Sequence, residues 1–179
     1  MAPEPLRICL MGAECTGKTT LARTLAQHFS GFWVPEYLRF FCDQQGRPPR
    51  ADEQAMVMRT QFEQEAQVLA LARQAGVGYV FCDTAPLMTA VYSDFYFADR
   101  SLYASANLLH GSYALTLVLT PDLAWVPDGL QRDGSQARAA VGTMLQHVLQ
   151  TMRYPAIVVS GGGECRLQAA ILAVETLTR

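Results

Sequence analysis

Short apolar runs alternate along the chain with longer segments in which apolar residues recur every three or four positions. Nearly every position in the short runs is apolar, which predicts strands that are buried on both faces. The five runs are "LRICLM" (6–11), "FWVPEY" (32–37), "GYVFCD" (78–83), "YALTLVLTP" (113–121) and "PAIVVSGGG" (155–163). Pro35 and Pro121 are expected to end the second and fourth strands.

Helical spacing fills the segments between these strands. The longest predicted helix spans 51–76 and ends at Gly76, and the mixed segment 85–110 is also expected to be helical. The apolar positions that define the helices are Leu21, Leu25 and Phe29; Met58, Phe62, Ala66 and Leu69; Val141, Leu145 and Val148; and Leu167, Ile171 and Val174. Alternating strands and helices predict an α/β fold, a three-layer sandwich around a five-stranded parallel sheet. The sequence contains no internal repeat and no linker, so we expect residues 1–179 to form a single domain.

Composition limits the classes of partner. A net charge of −2 gives no general attraction to nucleic acid or to an anionic membrane. The longest clean apolar run, 114–119, is too short to cross a bilayer, and the amino end lacks the pattern of a secretion signal. The five cysteines form neither a CxxC pair nor a Cys/His cluster, so no disulfide framework or zinc site is predicted. We therefore expect a cytoplasmic protein that binds neither nucleic acid nor membrane.

The segment between the first strand and the first helix, "GAECTGKT" (12–19), satisfies G-x-x-x-x-G-K-[ST]. Glycines at these positions let successive backbone N–H groups point at phosphate oxygens, and the following helix adds its positive end. We expect Lys18 to reach the β- and γ-phosphates and the Thr19 hydroxyl to bind Mg²⁺. No N-K-x-D segment for guanine is present, which favours ATP. The predicted cofactor-binding residues of this loop are Gly12, Ala13, Glu14, Cys15, Thr16, Gly17, Lys18, Thr19 and Thr20.

Two acidic residues follow predicted strands, and ligands of open parallel sheets gather at the carboxyl ends of the strands. Asp83 ends "VFCD" and fits the acid that organises Mg²⁺ beside a phosphate loop. Glu36 follows the second strand, where a carboxylate can orient or deprotonate an acceptor hydroxyl. The alternatives to these functional roles are that Asp83 caps a helix and that Glu36 is an ordinary acid of a surface loop. Which acid is the base and which organises the metal stays open.

The polar segment 121–138 contains glycine and proline and is predicted to be a loop that closes over the site. Phosphoryl transfer needs positive charge over the moving group, and Arg132 and Arg138 could supply it. Arg39 is a further candidate for contact with phosphate or substrate. Solvated surface arginines are the alternative for each. The aromatic segment 92–97 is expected mainly to pack, although exposed rings could stack on a flat heteroaromatic ring.

Five segments together resemble the NadR-type ribosylnicotinamide kinase domain, a P-loop kinase family. They are "GAECTGKTTLARTLA", "WVPEYLR", "FCDTAPLMTAVYSDFYF", "DLAWVPDGLQRDG" and "YPAIVVSGGGECRLQAA", which extend from about residue 6 to residue 177. The resemblance implies a P-loop NTPase fold of the nucleoside-kinase type. It also implies transfer of the γ-phosphate of ATP, with Mg²⁺, to the 5′-hydroxyl of nicotinamide riboside, giving nicotinamide mononucleotide for NAD biosynthesis.

The same resemblance assigns roles to individual residues. This chain has Gln131 where the family usually has arginine, with Arg132 one place on, so the identity of the lid arginine stays open. The residues expected to bind substrate are Glu36, Tyr37, Arg39, Asp83, Trp125 and Asp128. Those expected to act in catalysis are Lys18, Glu36, Asp83 and Arg132. Thr19 and Asp83 are the expected metal ligands, and Arg138 is assigned to the ATP side.

Three functions remain open at this level. The first is a kinase for nicotinamide riboside, the second is a kinase for another nucleoside, and the third is a regulatory module that binds ATP without catalysis. Each implies a small-molecule ligand. The aromatic residues around Phe95 suit either a core or a dimer interface, so a homo-oligomer is also open.

Overall fold

The structure, a computed structural model, describes residues 4–124, 135–152 and 154–178. Its strands are β1 (Leu6–Met11), β2 (Phe32–Val34), β3 (Tyr79–Asp83), β4 (Leu115–Leu119) and β5 (Ala156–Val159). Its α-helices are α1 (Lys18–His28), α2 (Tyr37–Gln45), α3 (Gln54–Ala75), α4 (Pro86–Phe97), α5 (Tyr103–His110), α6 (Ser135–Met152) and α7 (Gly163–Glu175). Short 3-10 turns, Ala51–Glu53 and Thr176–Thr178, precede α3 and follow α7.

The five strands form one parallel sheet in the order β2-β3-β1-β4-β5. β1 lies at the centre, with Leu10 opposite Asp83 of β3 and Met11 opposite Val118 of β4. All the carboxyl ends therefore meet at one edge of the sheet. The loop after β1, which carries the phosphate-loop motif, lies directly beside the end of β3.

Helices cover both faces of the sheet, as the apolar strands predicted. Alternate residues of β1 enter two different clusters because successive side chains of a strand point to opposite faces. Cys9 and Met11 pack with α3, α4 and α6, whereas Ile8 and Leu10 pack with α1 and α7. The predicted three-layer α/β sandwich is confirmed.

The long helix α3 buries a different face from the one that hydrophobic spacing predicted. Its buried positions are Gln54, Val57, Met58, Gln61, Glu65 and Ala72. Of the predicted face, Met58 is buried, Phe62 and Leu69 are half-buried, and Ala66 is exposed. The prediction holds at Met58 and is wrong at Ala66, because the polar residues Gln61 and Glu65 occupy interior positions, where they hydrogen-bond with each other.

Three further features differ from the sequence-based expectation. Helix α2 was not predicted, since only Phe41 and Cys42 of its nine residues are buried. Strand β5 is an edge strand and exposes 156–158, so burial on both faces was wrong there. Residues 135–138, assigned to the covering loop, already belong to α6. Within the described residues, no helix combines the length and apolarity that a bilayer crossing requires.

Candidate active site

The phosphate loop begins and ends with glycines in conformations that other residues rarely adopt. Gly12 has φ 153°, and a Cβ at this position would lie 2.8 Å from the carbonyl oxygen of Leu119. Gly17 has φ 82° and is the N-cap of α1, whose first turn closes with a bond from the Leu21 N–H to the Gly17 carbonyl. The two glycines thus let the loop fold tightly over the ends of β1 and β4 before α1 begins.

Lys18 lies inside the curve of this loop. Its ammonium group donates to the carbonyl oxygens of Gly12 at 2.9 Å and Ala13 at 3.0 Å. The Thr16 hydroxyl also donates to the Ala13 carbonyl, at 2.8 Å. Because Lys18 is buried at the wall of a cavity, its charge acts in a poorly solvated position.

Thr19 and Asp83 meet because β1 and β3 are neighbours. The Thr19 hydroxyl donates to Oδ2 of Asp83 at 2.5 Å. Oδ1 of Asp83 is buried and has no hydrogen-bond partner among the residues that the structure describes. Burial raises the pKa of Asp83, while the ammonium of Lys18 and the hydrogen bond from Thr19 act in the opposite direction.

These two side chains fit a magnesium ion. A buried carboxylate oxygen without a partner, next to a hydroxyl, matches the oxygen ligands that Mg²⁺ takes. Within the described ranges, no group of three or more His, Cys, Asp or Glu side chains is arranged to hold a metal ion. The phosphates of a nucleotide would therefore complete the coordination, as is usual for Mg²⁺.

Glu36 faces the same space from the end of β2. It is the N-cap residue of α2, yet its carboxylate makes no capping bond to that helix. Burial raises the pKa of Glu36 to about 7, and the negative charge of Asp83 adds to the rise. The cations of Lys18 and Arg39 oppose it. A carboxylate with this pKa can accept a proton near neutral pH.

A single cavity of about 660 Å³ joins the phosphate loop to Glu36. Helix α4 supplies an aromatic wall of Tyr92, Tyr96 and Phe97. The buried amide of Gln54 also lines the cavity. The other lining residues are Glu14, Cys15, Thr16, Gly17, Lys18, Thr19, Thr20, Glu36, Leu38, Arg39, Cys42, Pro48 and Pro49. This volume lies in the range of small-molecule sites.

The structure brings most of the predicted site residues together. Residues 14–20, Glu36 and Arg39 line the cavity. Gly12 and Ala13 lie beneath it, and Asp83 is hydrogen-bonded to the lining residue Thr19. Tyr37 does not line it, and its hydroxyl contacts Sδ of Met56 at 3.9 Å.

The predicted arginines and lid residues have other positions. Arg138 belongs to α6, beside the predicted covering loop, where its buried guanidinium donates to the Leu123 carbonyl at 2.9 Å, and its role on the ATP side stays a prediction. Trp125, Asp128 and Arg132 lie outside the described residues.

Arg166 is a site residue that the sequence did not single out. Its buried guanidinium donates to the carbonyl oxygens of Thr16 and Thr120 and pairs with the Asp122 carboxylate at 3.2 Å. It therefore ties the phosphate loop to the end of β4. The sequence signal for this residue is its position in the first turn of α7, shortly after the glycine-rich segment "SGGGE".

The parallel sheet and the phosphate-loop motif that follows its central strand define a P-loop α/β domain. The chain belongs to the AAA domain family, whose model matches residues 7–166. No curated protein matches the sequence at a significant level.

Solved structures share the fold. A NadR protein in complex with NR aligns with a TM-score of 0.82 and 23% identity, over 98% of this chain and 52% of that one. A NadR protein with NAD and AMP-PNP gives 0.79 and 23%, over 98% and 50%. Thymidylate kinase from Ehrlichia chaffeensis gives 0.68 and 13%, over 98% and 100%. The chain thus spans about half the length of the NadR proteins.

Proposed function

We propose that this protein is an ATP-dependent kinase that phosphorylates the 5′-hydroxyl of nicotinamide riboside to give nicotinamide mononucleotide. The observation that carries the proposal is the position of Glu36. Its carboxylate, with a pKa raised to about 7, faces a phosphate loop across one cavity. A base opposite a γ-phosphate is the arrangement that hydroxyl phosphorylation requires.

The donor half of the site is built on the loop after β1. The loop N–H groups and Lys18 bind the β- and γ-phosphates, while Arg166 holds the loop in place from below. Thr19 and Asp83 are the residues that would hold Mg²⁺, which supplies charge neutralisation on the phosphates when bound.

The acceptor half lies between Glu36 and the aromatic wall of α4. Glu36 accepts the proton of the 5′-hydroxyl as the acceptor oxygen bonds to the γ-phosphorus. The bond from that phosphorus to the β,γ-bridging oxygen breaks, and ADP leaves with that electron pair. The pyridinium ring of nicotinamide riboside is flat and cationic, so Tyr92, Tyr96 and Phe97 suit it by stacking and cation–π attraction. The fold shared with a NadR protein solved with NR is consistent with this acceptor.

A kinase for another nucleoside is the second candidate. The aromatic wall would also stack on an uncharged base, and the fold is shared with thymidylate kinase. In either case we place the reaction in the cytoplasm, where reducing conditions keep the five free cysteines as thiols.

The direct test is to incubate the protein with ATP, Mg²⁺ and a panel of nucleosides and to detect phosphorylated products by mass spectrometry. We expect nicotinamide mononucleotide from nicotinamide riboside and loss of product in Glu36→Gln. Glu63→Gln, an exposed change on α3, is the matched control and should keep full activity. Product from another nucleoside alone would support the second candidate. Nucleotide binding without any product would favour a regulatory module and contradict both kinase proposals.

A further inference from the structure

Two polar side chains lie in the interior of α3, one turn apart. Gln61 is 2% exposed and Glu65 is 0% exposed. The Gln61 amide nitrogen donates to Oε1 of Glu65 at 2.8 Å. Because that bond fixes which way the amide faces, the Gln61 amide oxygen points away from Glu65. It accepts the backbone N–H of Tyr37 at 2.7 Å.

Tyr37 is the first residue of α2, so its N–H is one of the four that a helix cannot satisfy internally. The side chain of the N-cap residue commonly accepts from the second or third of these groups, not from the first. Here the N-cap residue is Glu36, and its carboxylate makes no such bond. Gln61, from a different helix, serves the first N–H instead. This bond anchors the backbone directly beside Glu36, whose side chain lines the cavity.

Glu65 anchors this arrangement to the sheet. Its Oε2 accepts the Tyr113 hydroxyl at 2.5 Å and lies 3.7 Å from Nη1 of Arg7, which is also buried. The chain of contacts therefore runs from β1 and the start of β4, through Glu65 and Gln61, to the backbone beside Glu36. Gln61 uses both ends of its amide and Glu65 uses both of its oxygens, which holds the two side chains in one orientation.

We propose that Gln61 is a positioning residue for phosphoryl transfer: it binds the first N–H of α2, holds the backbone that carries Glu36, and so keeps the Glu36 carboxylate directed at the acceptor. The inference deepens the proposed function and rests on it for the role of Glu36. The geometry of Gln61 itself stands independently of the substrate.

The test compares Gln61→Met, which keeps the side-chain length but removes the amide, with Gln61→Asn, which keeps an amide but shortens its reach. Gln67→Met, an exposed change on the same helix, is the control. The first readout is the pKa of Glu36 from carboxyl NMR titration, and thermal melting establishes folding. Lys18, Arg39, Asp83 and Tyr92 are the charged or titratable groups that interact electrostatically with Glu36. None of the variants replaces any of them.

In Gln61→Met the backbone beside Glu36 loses its anchor and the carboxylate becomes better solvated, so we expect its pKa to fall by about one unit or more. We expect kcat to fall about tenfold or more while the KM for ATP stays within about twofold, because the phosphate loop is untouched. Gln61→Asn should change both in the same direction. Exchanging the pair, Gln61→Glu with Glu65→Gln, keeps both hydrogen bonds and should restore much of kcat.

Folded Gln61→Met or Gln61→Asn with an unchanged Glu36 pKa and an unchanged kcat would overturn the inference. If Gln61→Met does not fold, Gln61→Asn and the exchanged pair decide whether Gln61 positions the Glu36 carboxylate. The two proposals fail differently. A wild-type protein without transfer activity contradicts the kinase, while the Glu36 pKa in the variants still tests the position of the carboxylate.

Discussion

The pH dependence of activity tests the role of Glu36 most directly. The raised pKa of about 7 means that the carboxylate loses its proton close to neutral pH, rather than near its ordinary value of 4.5. A general base works only when deprotonated, so kcat/KM should be low in acid and rise with pH.

The size of the rise follows from that pKa. For a pKa of about 7, roughly a tenth of the Glu36 carboxylates are ionised at about pH 6 and roughly nine tenths at about pH 8. We therefore expect kcat/KM to rise about tenfold across this interval and then to level off. A carboxylate with an ordinary pKa would already be ionised at the lower pH, and the profile would be flat.

Removing a neighbouring cation should move this profile in a known direction. Arg39 lowers the pKa of Glu36, so Arg39→Met should raise that pKa and shift the acid limb to higher pH. Arg59→Met, an exposed change on α3, should leave the limb in place. ADP release, followed at saturating ATP over a range of acceptor concentrations, gives kcat/KM at each pH.

Two results would refute the reasoning. One is a flat kcat/KM between about pH 6 and pH 8 in the wild type, since Glu36 would then not limit the rate through its ionisation. The other is an acid limb that persists in Glu36→Gln with its midpoint unchanged, because another group would then be responsible for it.

The remaining predictions concern the metal, the buried arginine and a buried histidine. Asp83→Asn should lower kcat about a hundredfold while it retains nucleotide binding in EDTA. Thr19→Ser keeps the hydroxyl and should stay active. An equal loss of kcat in both variants would contradict the metal role. Arg166→Gln should weaken ATP binding and cost about 2–4 kcal/mol of unfolding free energy, as measured by ATP titration and urea unfolding; unchanged ATP affinity would contradict its role in holding the phosphate loop. Burial lowers the pKa of His110 from 6.5 to about 4, so this group contributes an unfolding free energy that is present above about pH 6.5 and lost as pH falls toward 4. Between about pH 7 and pH 5 the unfolding free energy of the wild type, measured in urea, should therefore fall by about 2 kcal/mol more than that of His110→Gln. The exposed control His147→Gln should behave as wild type. Equal losses in all three proteins would contradict the burial effect.

The five strands along the chain and the phosphate loop could be predicted because their signals are local. Continuous apolar runs mark strands buried on both faces, and the loop motif lies within eight consecutive residues, 12–19. The proximity of Asp83 to the loop also follows from sequence, once parallel strands are known to end at one edge of the sheet.

Arg166 and Gln61 could not be predicted, for two different physical reasons. Arg166 contacts Thr16 across 150 residues of sequence, and nothing in the local pattern names that partner. Gln61 and Glu65 are polar residues at interior positions of α3. Hydrophobic spacing treats such positions as solvent-facing, so it assigned the buried face to Ala66 and Leu69 instead. Only the packed helices show that the two side chains satisfy each other.

The central place of β1 has a consequence for how the chain acquires its binding site. Cys9 pairs with Thr116, 107 residues later, and Leu6 pairs with Tyr79. Both neighbours of β1 are thus synthesised well after it, and contacts this distant in sequence form slowly. The loop that follows β1 has no support until β3 and β4 are in place. Nucleotide binding therefore requires that β3 and β4 have joined β1, and it reports the assembly of this central part of the sheet.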